Sequence, residues 1–410
     1  MESRMFVGLD IGTTKVACII TELVENGELK VIGVGISPSD GLRKGAVVDI
    51  GKTVSSIKKA VEEAELMAGV DVDAVWVGIA GNHIKDINSS AVVTINKEVT
   101  QEDIDRVINT AKAVNTSTDR EILHVIPQEF IVDTQRGIKN PLGMCGVRLE
   151  TKIHIITGAI ASAQNIMKCV EDAGLKVIDL VLEPLASGYA VLEKDEKELG
   201  VALIDIGGGT TDIAIYFDDC IRHSAVVGFG GRNVTKDIAM GLHTPVEKAE
   251  EIKKVHGCAY LPLLRGNEYL TVPGGLGGQT DREVSREVLV SIIEPRVEEI
   301  LSHALKEIKR TEYAEMLGAG VVLTGGGSLM EGVKDKAESI FQMPVKLGVP
   351  TRIGGLTDVA RSPVHATGIG LCMYAADSYS GDKKGKKTSG ADGGYRRAID
   401  KMISWAKEFF

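Results

Sequence analysis

The chain has 410 residues, 44% of them hydrophobic and 4% aromatic, with a formal net charge of −10. That length exceeds one ordinary core and points to two or more globular domains. The acidic balance and scarce aromatic rings exclude a protein that coats nucleic acid or stacks its bases.

Short β-rich runs bounded by glycine predict strands over residues 6–11, 16–23 and 29–36. The motif DIGTTK (10–15) lies between the first two. Asp49 sits where it can cap a helix running to about residue 67, with Val54, Ile57, Val61 and Ala64 on one side. A buried strand over 74–80 completes an α/β layer. The texture then changes. Between 82 and 160 there are β-like runs at 91–95, 129–133 and 152–156, and one helix over 101–114 after Thr100. Pro127, Pro141 and several glycines punctuate the rest, as in a small α/β domain inserted into the first half. His124, inside an apolar run, reads as a core histidine before a ligand.

A second half is expected from about residue 163, with a helix over 163–173 and a strand over 177–181. In LEPLASGYA (182–190), Glu183 ends a strand and opens a small-residue helix; it either faces a cleft or is a solvated helix-start acid. DIGGGTTD (205–212) follows, between two further apolar runs. Gly207, Gly208 and Gly209 let backbone approach a ligand and turn N–H groups toward an anion, while Thr210 and Thr211 add hydroxyls. Asp205, at the strand end, can hold the water shell of Mg²⁺. Together they fit a metal–triphosphate. A single glycine hairpin is an ordinary turn, but two copies of Asp-Ile-Gly…Thr-Thr suggest related halves that share a cleft.

A helix ending near residue 240 and another over 246–255 come next, the latter with Glu250 and Lys253 on one face. This pair is either a surface ion pair or a clamp on a base or ribose. Residues 258–281 read as strands and turns, and 282–311 as a long helix kinked or split at Pro295. VVLTGGGSL (321–329) is a strand, a glycine turn and a helix start, whose bare backbone at Gly326, Gly327 and Ser328 can lie against a ligand. A small-residue helix from SPVHATGIG (362–370) runs to 374, and 377–394 reads as a flexible linker. Cys18, Cys145, Cys169, Cys220, Cys258 and Cys372 form no CxxC pair or zinc spacing and suit a reducing cytosol. No secretion leader is expected at the N terminus, and no run approaches the ~20 apolar residues of a membrane span.

On a helical wheel, the tail segment 395–410 places Tyr395, Ile399, Met402, Ile403, Trp405, Phe409 and Phe410 within one sector of about 160°. Arg396, Arg397, Asp400, Lys401, Ser404, Lys407 and Glu408 lie in the remainder. This is the pattern of a helix lying in a bilayer interface, bound weakly as one copy and firmly when several are linked. The alternative is a terminal helix packed on its own core or in a partner's groove.

The two hairpins, EPLA (183–186), TGGG (324–327) and 363–370 follow the order of the nucleotide-site segments of the actin/Hsp70/sugar-kinase superfamily. The chain resembles the FtsA family of bacterial cell-division proteins most closely. The resemblance rests on DIGTTKV, ILHVIPQEF, NPLGMCGVRLE, HIITG, DIGGGTTD, IEPRVEEI, VVLTGGG and GLTD, and on the linker and amphipathic tail. It implies an α/β, actin-like (ribonuclease H-like) fold of two related halves around a nucleotide cleft, each with an extra subdomain. The implied division gives 1–81 and 361–376 to subdomain 1A, 82–160 to the inserted 1C, 161–227 and 313–360 to 2A, and 228–312 to 2B. The linker over 377–394 and the membrane helix over 395–410 would follow. Residues 37–48 are too few to hold actin's own insertion.

The resemblance also implies ATP with Mg²⁺ between the halves. Asp10 and Asp205 would orient the metal's waters. Gly12, Thr13, Thr14, Lys15 and residues Gly207, Gly208, Gly209, Thr210 and Thr211 would hold the phosphates. Gly231, Glu250, Lys253, Gly326, Gly327 and Ser328 would line sugar and base, and Glu183 would position a water. The family forms actin-like filaments at the cytoplasmic face of the cell membrane, tethers FtsZ through its C-terminal tail, and recruits later division proteins. Arg296 is the implied FtsZ-tail contact; its alternative is an ion pair with Glu299. A small-molecule kinase, a chaperone ATPase and a pilus-assembly scaffold are the competing readings. A kinase needs a substrate pocket with a positioned base, and a chaperone needs a large peptide-binding domain.

Overall fold

The computed structural model describes residues 4–25, 27–266, 268–274 and 280–382; the tail expected at 395–410 and most of the linker lie outside the described residues. β1 (Arg4–Ile11), β2 (Lys15–Leu23) and β3 (Leu29–Pro38) form an antiparallel meander. A short ladder of β4 (Leu42–Arg43) with β5 (Ala46–Val47) leads into α1 (Ile50–Ala68) and β6 (Ala74–Ile79). The Asp49 side chain accepts the Lys52 N–H at the start of α1, and Gly69, at φ 69°, ends the helix in the left-handed region.

The insert comprises β7 (Lys85–Glu98), α2 (Gln101–Lys112), β8 (Arg120–Val132), β9 (Gln135–Ile138) and β10 (Cys145–Ala159). Its sheet has the order β7-β10-β8-β9. Thr100 and Asp103 cap α2 reciprocally. The strands run well beyond the apolar stretches visible in sequence. Much of β7 is exposed on alternate residues, so polar side chains interrupt the run without ending the strand. His124 is half-buried, as expected of a structural histidine. Its Nε2 accepts the Leu182 N–H at 3.0 Å.

α3 (Ile160–Asp172) and β11 (Lys176–Leu182) depart from the expectation that the second half opens at 161. β11 pairs parallel with β6, so this segment completes the first sheet. α4 (Glu183–Val191) and α5 (Lys194–Leu199) then lead to β12 (Val201–Ile206), β13 (Thr211–Phe217) and β14 (Cys220–Val227). α6 (Gly231–Gly241), α7 (Val246–His256), β15 (Tyr269–Val272), β16 (Arg282–Ser285) and α8 (Arg286–Lys309) follow. Residues 282–285, expected in the long helix, pair as a strand instead. α8 is also unbroken at Pro295: buried Leu289, Ile293, Val297, Leu301 and Ile308 hold it against the second core, which offsets the roughly 3 kcal/mol that an interior proline costs.

β17 (Val321–Thr324), α9 (Val333–Phe341) and β18 (Val345–Leu347) finish the second sheet. β19 (Ile353–Gly355), expected in the second half, pairs with β3 at the edge of the first sheet. α10 (Thr357–Ala360) and α11 (Ala366–Asp382) close the described chain, so 377–382 continue a helix where a linker was expected.

The two large sheets share one design. The orders β3-β2-β1-β6-β11 and β14-β13-β12-β17-β18 each join an antiparallel meander to two parallel strands. α4 and α11 cross between them, and the shared core takes Leu185 and Ala186 from α4, Ile369 and Leu371 from α11, and Phe6 and Leu203 from the two sheets. The crossing is close. A Cβ on Gly370 would stand 1.8 Å from the Ala186 carbonyl oxygen, and one on Gly8 2.4 Å from that of Gly368.

Candidate nucleotide site between the halves

The β1–β2 and β12–β13 turns are built alike. In each, four residues separate the last paired positions: Ile11 pairs Val16, and Ile206 pairs Thr211. Each is closed by its first glycine, Gly12 N–H to the Lys15 carbonyl at 2.9 Å and Gly207 N–H to the Thr210 carbonyl at 3.0 Å. This register makes Thr13 and Thr14 equivalent to Gly208 and Gly209, so the two Thr-Thr pairs of the sequence occupy different structural positions.

The turns meet face to face. A Cβ on Gly208 would lie 2.3 Å from the Thr14 side chain, and one on Gly209 2.6 Å from Thr13 Oγ1. Each turn thus presents equivalent positions to the other, crosswise, as a local two-fold relation requires. Thr13 Oγ1 also accepts the Gly45 N–H. The Thr211 hydroxyl, expected at the phosphates, donates to the Phe229 carbonyl and is fully buried. Gly231 and Arg232 donate their N–H groups to the carbonyls of Gly207 and Gly208, which docks the start of α6 on the second turn.

Acids gather beneath the turns. Asp10 and Asp205 end β1 and β12, and Asp212 opens β13 opposite Asp205. Glu183 opens α4 and packs against Gly78. Lys15 bonds the Val364 carbonyl at 2.6 Å and reaches Asp10 at 3.4 Å. Ser187 donates to Asp205 Oδ2 at 2.6 Å, and Thr367 lies 3.4 Å from the same oxygen. Burial pushes the Asp205 carboxyl up to about 6 against the Ser187 bond, with the charge of Asp10 adding to the rise. Burial, then the charge of Asp205, pushes Asp212 well up. Glu183 is half-buried. Desolvation, then Asp10 and Asp212, drives it well above the usual range.

Such crowded carboxylates fit a hard divalent cation, which would relieve their mutual repulsion. Asp212 Oδ1 is buried with no hydrogen-bond partner, a vacant acceptor in the same cluster. Among the described residues no three acids, histidines or cysteines form a direct metal cage.

The remaining expected residues divide. Glu250 and Lys253 form the ion pair, at 2.7 Å. Lys253 also bonds the Gly231 carbonyl and Thr235, so the pair ties α7 to the start of α6, beside the second turn. Burial would raise Glu250, but the hydrogen bonds from Lys253 and Thr235 outweigh it and hold the carboxyl below its usual range. Gly326 is exposed; a Cβ on Gly327 would strike Ile206, and the Ser328 hydroxyl bonds the Gly325 carbonyl. Gly326 is therefore the one of the three with open backbone. Arg296 is bound to Glu299 and Asp237 on the α6–α8 side, away from these acids.

Ser187, Asp212 and Thr367 were not singled out in sequence. Ser187 lies one helical turn after Glu183, which was the available signal. His365 is a further addition: its Nδ1 is buried without a partner, and burial, then Lys15, lowers its imidazole to about 4.

Known proteins resemble this chain in sequence and in fold. The family described as cell division protein FtsA matches residues 202–370, and the SHS2 domain inserted in FtsA matches residues 81–157. The cell division protein FtsA of Pseudomonas aeruginosa is 50% identical over 92% of this chain and 90% of its own. That of Escherichia coli K12 is 41% identical over 100% and 99%. Among solved structures, a chain of the PilM–PilN type IV pilus biogenesis complex aligns with a TM-score of 0.65 at 14% identity, covering 90% of this chain and 98% of its own. MreB5 of Spiroplasma citri bound to AMPPNP aligns at 0.59 and 15%, covering 94% and 100%. Identities that low speak for a common actin-like fold and no more. With paired sheets of one design and full-length relatives of far higher identity, the chain belongs to the FtsA family of actin-like cell division proteins.

Proposed function

We propose that the chain binds Mg²⁺–ATP between its halves, polymerises as an actin-like filament, and links the FtsZ ring to the cytoplasmic face of the membrane at the division site. The observation that supports this most is the crosswise meeting of two equivalent turns above Asp10 and Asp205. A structural relative bound to AMPPNP supports a nucleotide in this cleft. The turns that Gly12 and Gly207 close would hold the phosphates through the N–H groups of Thr13, Thr14, Gly208 and Gly209 and the Lys15 ammonium, and Asp10 and Asp205 would hold the hydrated ion. Gly231, Glu250, Lys253 and Gly326 would stand around the sugar and base. Glu183 would orient water. Binding alone does not entail hydrolysis, and any ATPase activity is expected to be slow.

The segment 395–410 would lie on anionic lipid through Ile399, Met402, Ile403, Trp405, Phe409 and Phe410, and linked copies in a filament would bind firmly. The FtsZ tail would bind the subdomain that carries α8, near Arg296, and later division proteins would bind the insert. The pilus scaffold remains the second reading because of the structural likeness; the match of the insert to the FtsA form of the SHS2 domain favours division.

Co-sedimentation with anionic vesicles and FtsZ, with and without ATP, tests the whole reading. FtsZ should pellet with vesicles only when the chain is present. Calorimetry tests the cleft. Asp205→Ala should weaken Mg²⁺–ATP binding by about tenfold or more, the scale of a lost charge-assisted interaction. Equal affinity would remove Asp205 from the site.

A further inference from the structure

A second cavity, of about 520 Å³, lies at the far ends of the two crossing helices. Glu183 and Ser187 at the start of α4 face the acid cluster, whereas Tyr189 and Leu192 at its end line this cavity. Thr367 and Asp377 divide α11 in the same way. The volume is that of a small-molecule site.

Its charged lining is balanced. Lys194, Lys197 and Arg352 oppose Glu28, Asp219 and Asp377. Most of these are spoken for. The Arg352 guanidinium donates to the Tyr189 and Leu192 carbonyls, and Asp377 accepts the Tyr189 hydroxyl. Lys194 is exposed to solvent, and Lys197 and Asp219 are the buried exceptions. Each is only 8% exposed. The Lys197 ammonium lies over the rings of Tyr189 and Tyr216, at 5.2 and 5.6 Å. Among the described residues it has no carboxylate or hydrogen-bond acceptor. The Asp219 carboxylate likewise has no donor among them. The Asp219 N–H bonds the Lys197 carbonyl at 3.1 Å, yet the two side chains do not pair.

Burying two opposite charges without joining them is costly, and the ordinary remedy is a salt bridge. Here burial, then Arg352, lowers the Lys197 ammonium to about 8, and burial raises Asp219. Opposite charges act on each only from a distance, Asp219 and Asp377 on Lys197 and Lys139 and Lys197 on Asp219, and both groups line one cavity whose other walls include Leu29, Leu192 and Met373. A ligand carrying both signs on an apolar body would complete all three features.

We propose that this cavity binds a small zwitterion with a large apolar side chain, an amino acid or dipeptide. Its carboxylate meets Lys197 and its ammonium meets Asp219. Neither the nucleotide reading nor the membrane reading is needed for it.

The test is titration of the full chain with L-phenylalanine and with alanyl-phenylalanine, read by ligand-observed NMR and by the Lys197 side-chain resonance. Hydrocinnamate, which lacks the ammonium, and phenethylamine, which lacks the carboxylate, are the controls. At least one zwitterion should bind about tenfold tighter than either control and raise the Lys197 titration midpoint. Lys197→Met and Asp219→Asn should each weaken binding about tenfold, with Mg²⁺–ATP affinity unchanged. Absence of binding at millimolar zwitterion, controls that bind equally well, or binding that survives both substitutions would overturn the proposal. The first two outcomes use the unaltered chain and hold even where a variant misfolds.

Discussion

Gly208 and Gly209 show what single residues contribute. Their missing side chains let the second turn touch Thr14 and Thr13 of the first. A larger residue would part the turns without unfolding either sheet. Gly208→Val should therefore lower Mg²⁺–ATP affinity about tenfold while leaving the thermal midpoint near that of the parent, read by calorimetry beside circular dichroism. Unchanged affinity would show that the meeting of the turns is not part of the site. At this scale the sequence was partly readable. The glycines, Asp10 and Asp205 announce themselves through a repeated motif. Ser187, Thr367 and His365 do not, because small polar residues in apolar helices look like packing until the partner strand is seen. The matching Thr-Thr pairs misled, since pairing register, not spelling, decides which positions are equivalent.

Among elements, the docking of the insert on the second sheet carries a pH dependence. His154 on β10 is fully buried, with Nδ1 2.7 Å from Asn88 Oδ1 and Nε2 3.3 Å from Ser224 Oγ. Asp86 on β7 bonds His223 and the Ser224 N–H on β14. Burial lowers His154 to about 4, partly opposed by the charge of Asp86 and aided by that of His223. The native state thus keeps the ring neutral, while the unfolded chain takes up a proton below about 6.5. Stability should fall as pH drops from 6.5 toward 4, by about 2 kcal/mol from this group over the first one and a half units. His365 acts in the same direction and Asp205 in the opposite one, so the comparison with His154→Leu isolates the effect. Denaturant unfolding at pH 6.5 and pH 5 should show a smaller loss in that variant. An equal loss would discharge His154.

Helix starts at Asp49 and Thr100 were legible at this scale because capping is local. The partners of β11 and β19 were not. A parallel strand finds its neighbour through residues distant in sequence, and nothing in 176–182 or 353–355 states which sheet it will join. The hairpin around DIGGGTTD was legible from its own two apolar runs, but the third strand of that meander, β14, was not.

For the whole molecule, the tail is the decisive segment. Deleting residues 395–410 should abolish flotation with anionic vesicles and leave Mg²⁺–ATP binding intact. Trp405→Glu should act nearly as strongly, since a carboxylate in the apolar sector opposes burial in lipid. A truncated chain that still floats would mean that the anchor lies elsewhere.

The bare crossing of α4 and α11 has a mechanical consequence. With the Gly370 backbone seated against Ala186, neither helix can slide past the other without a collision of main chains. Any turn of one half against the other would therefore have to pivot about this contact.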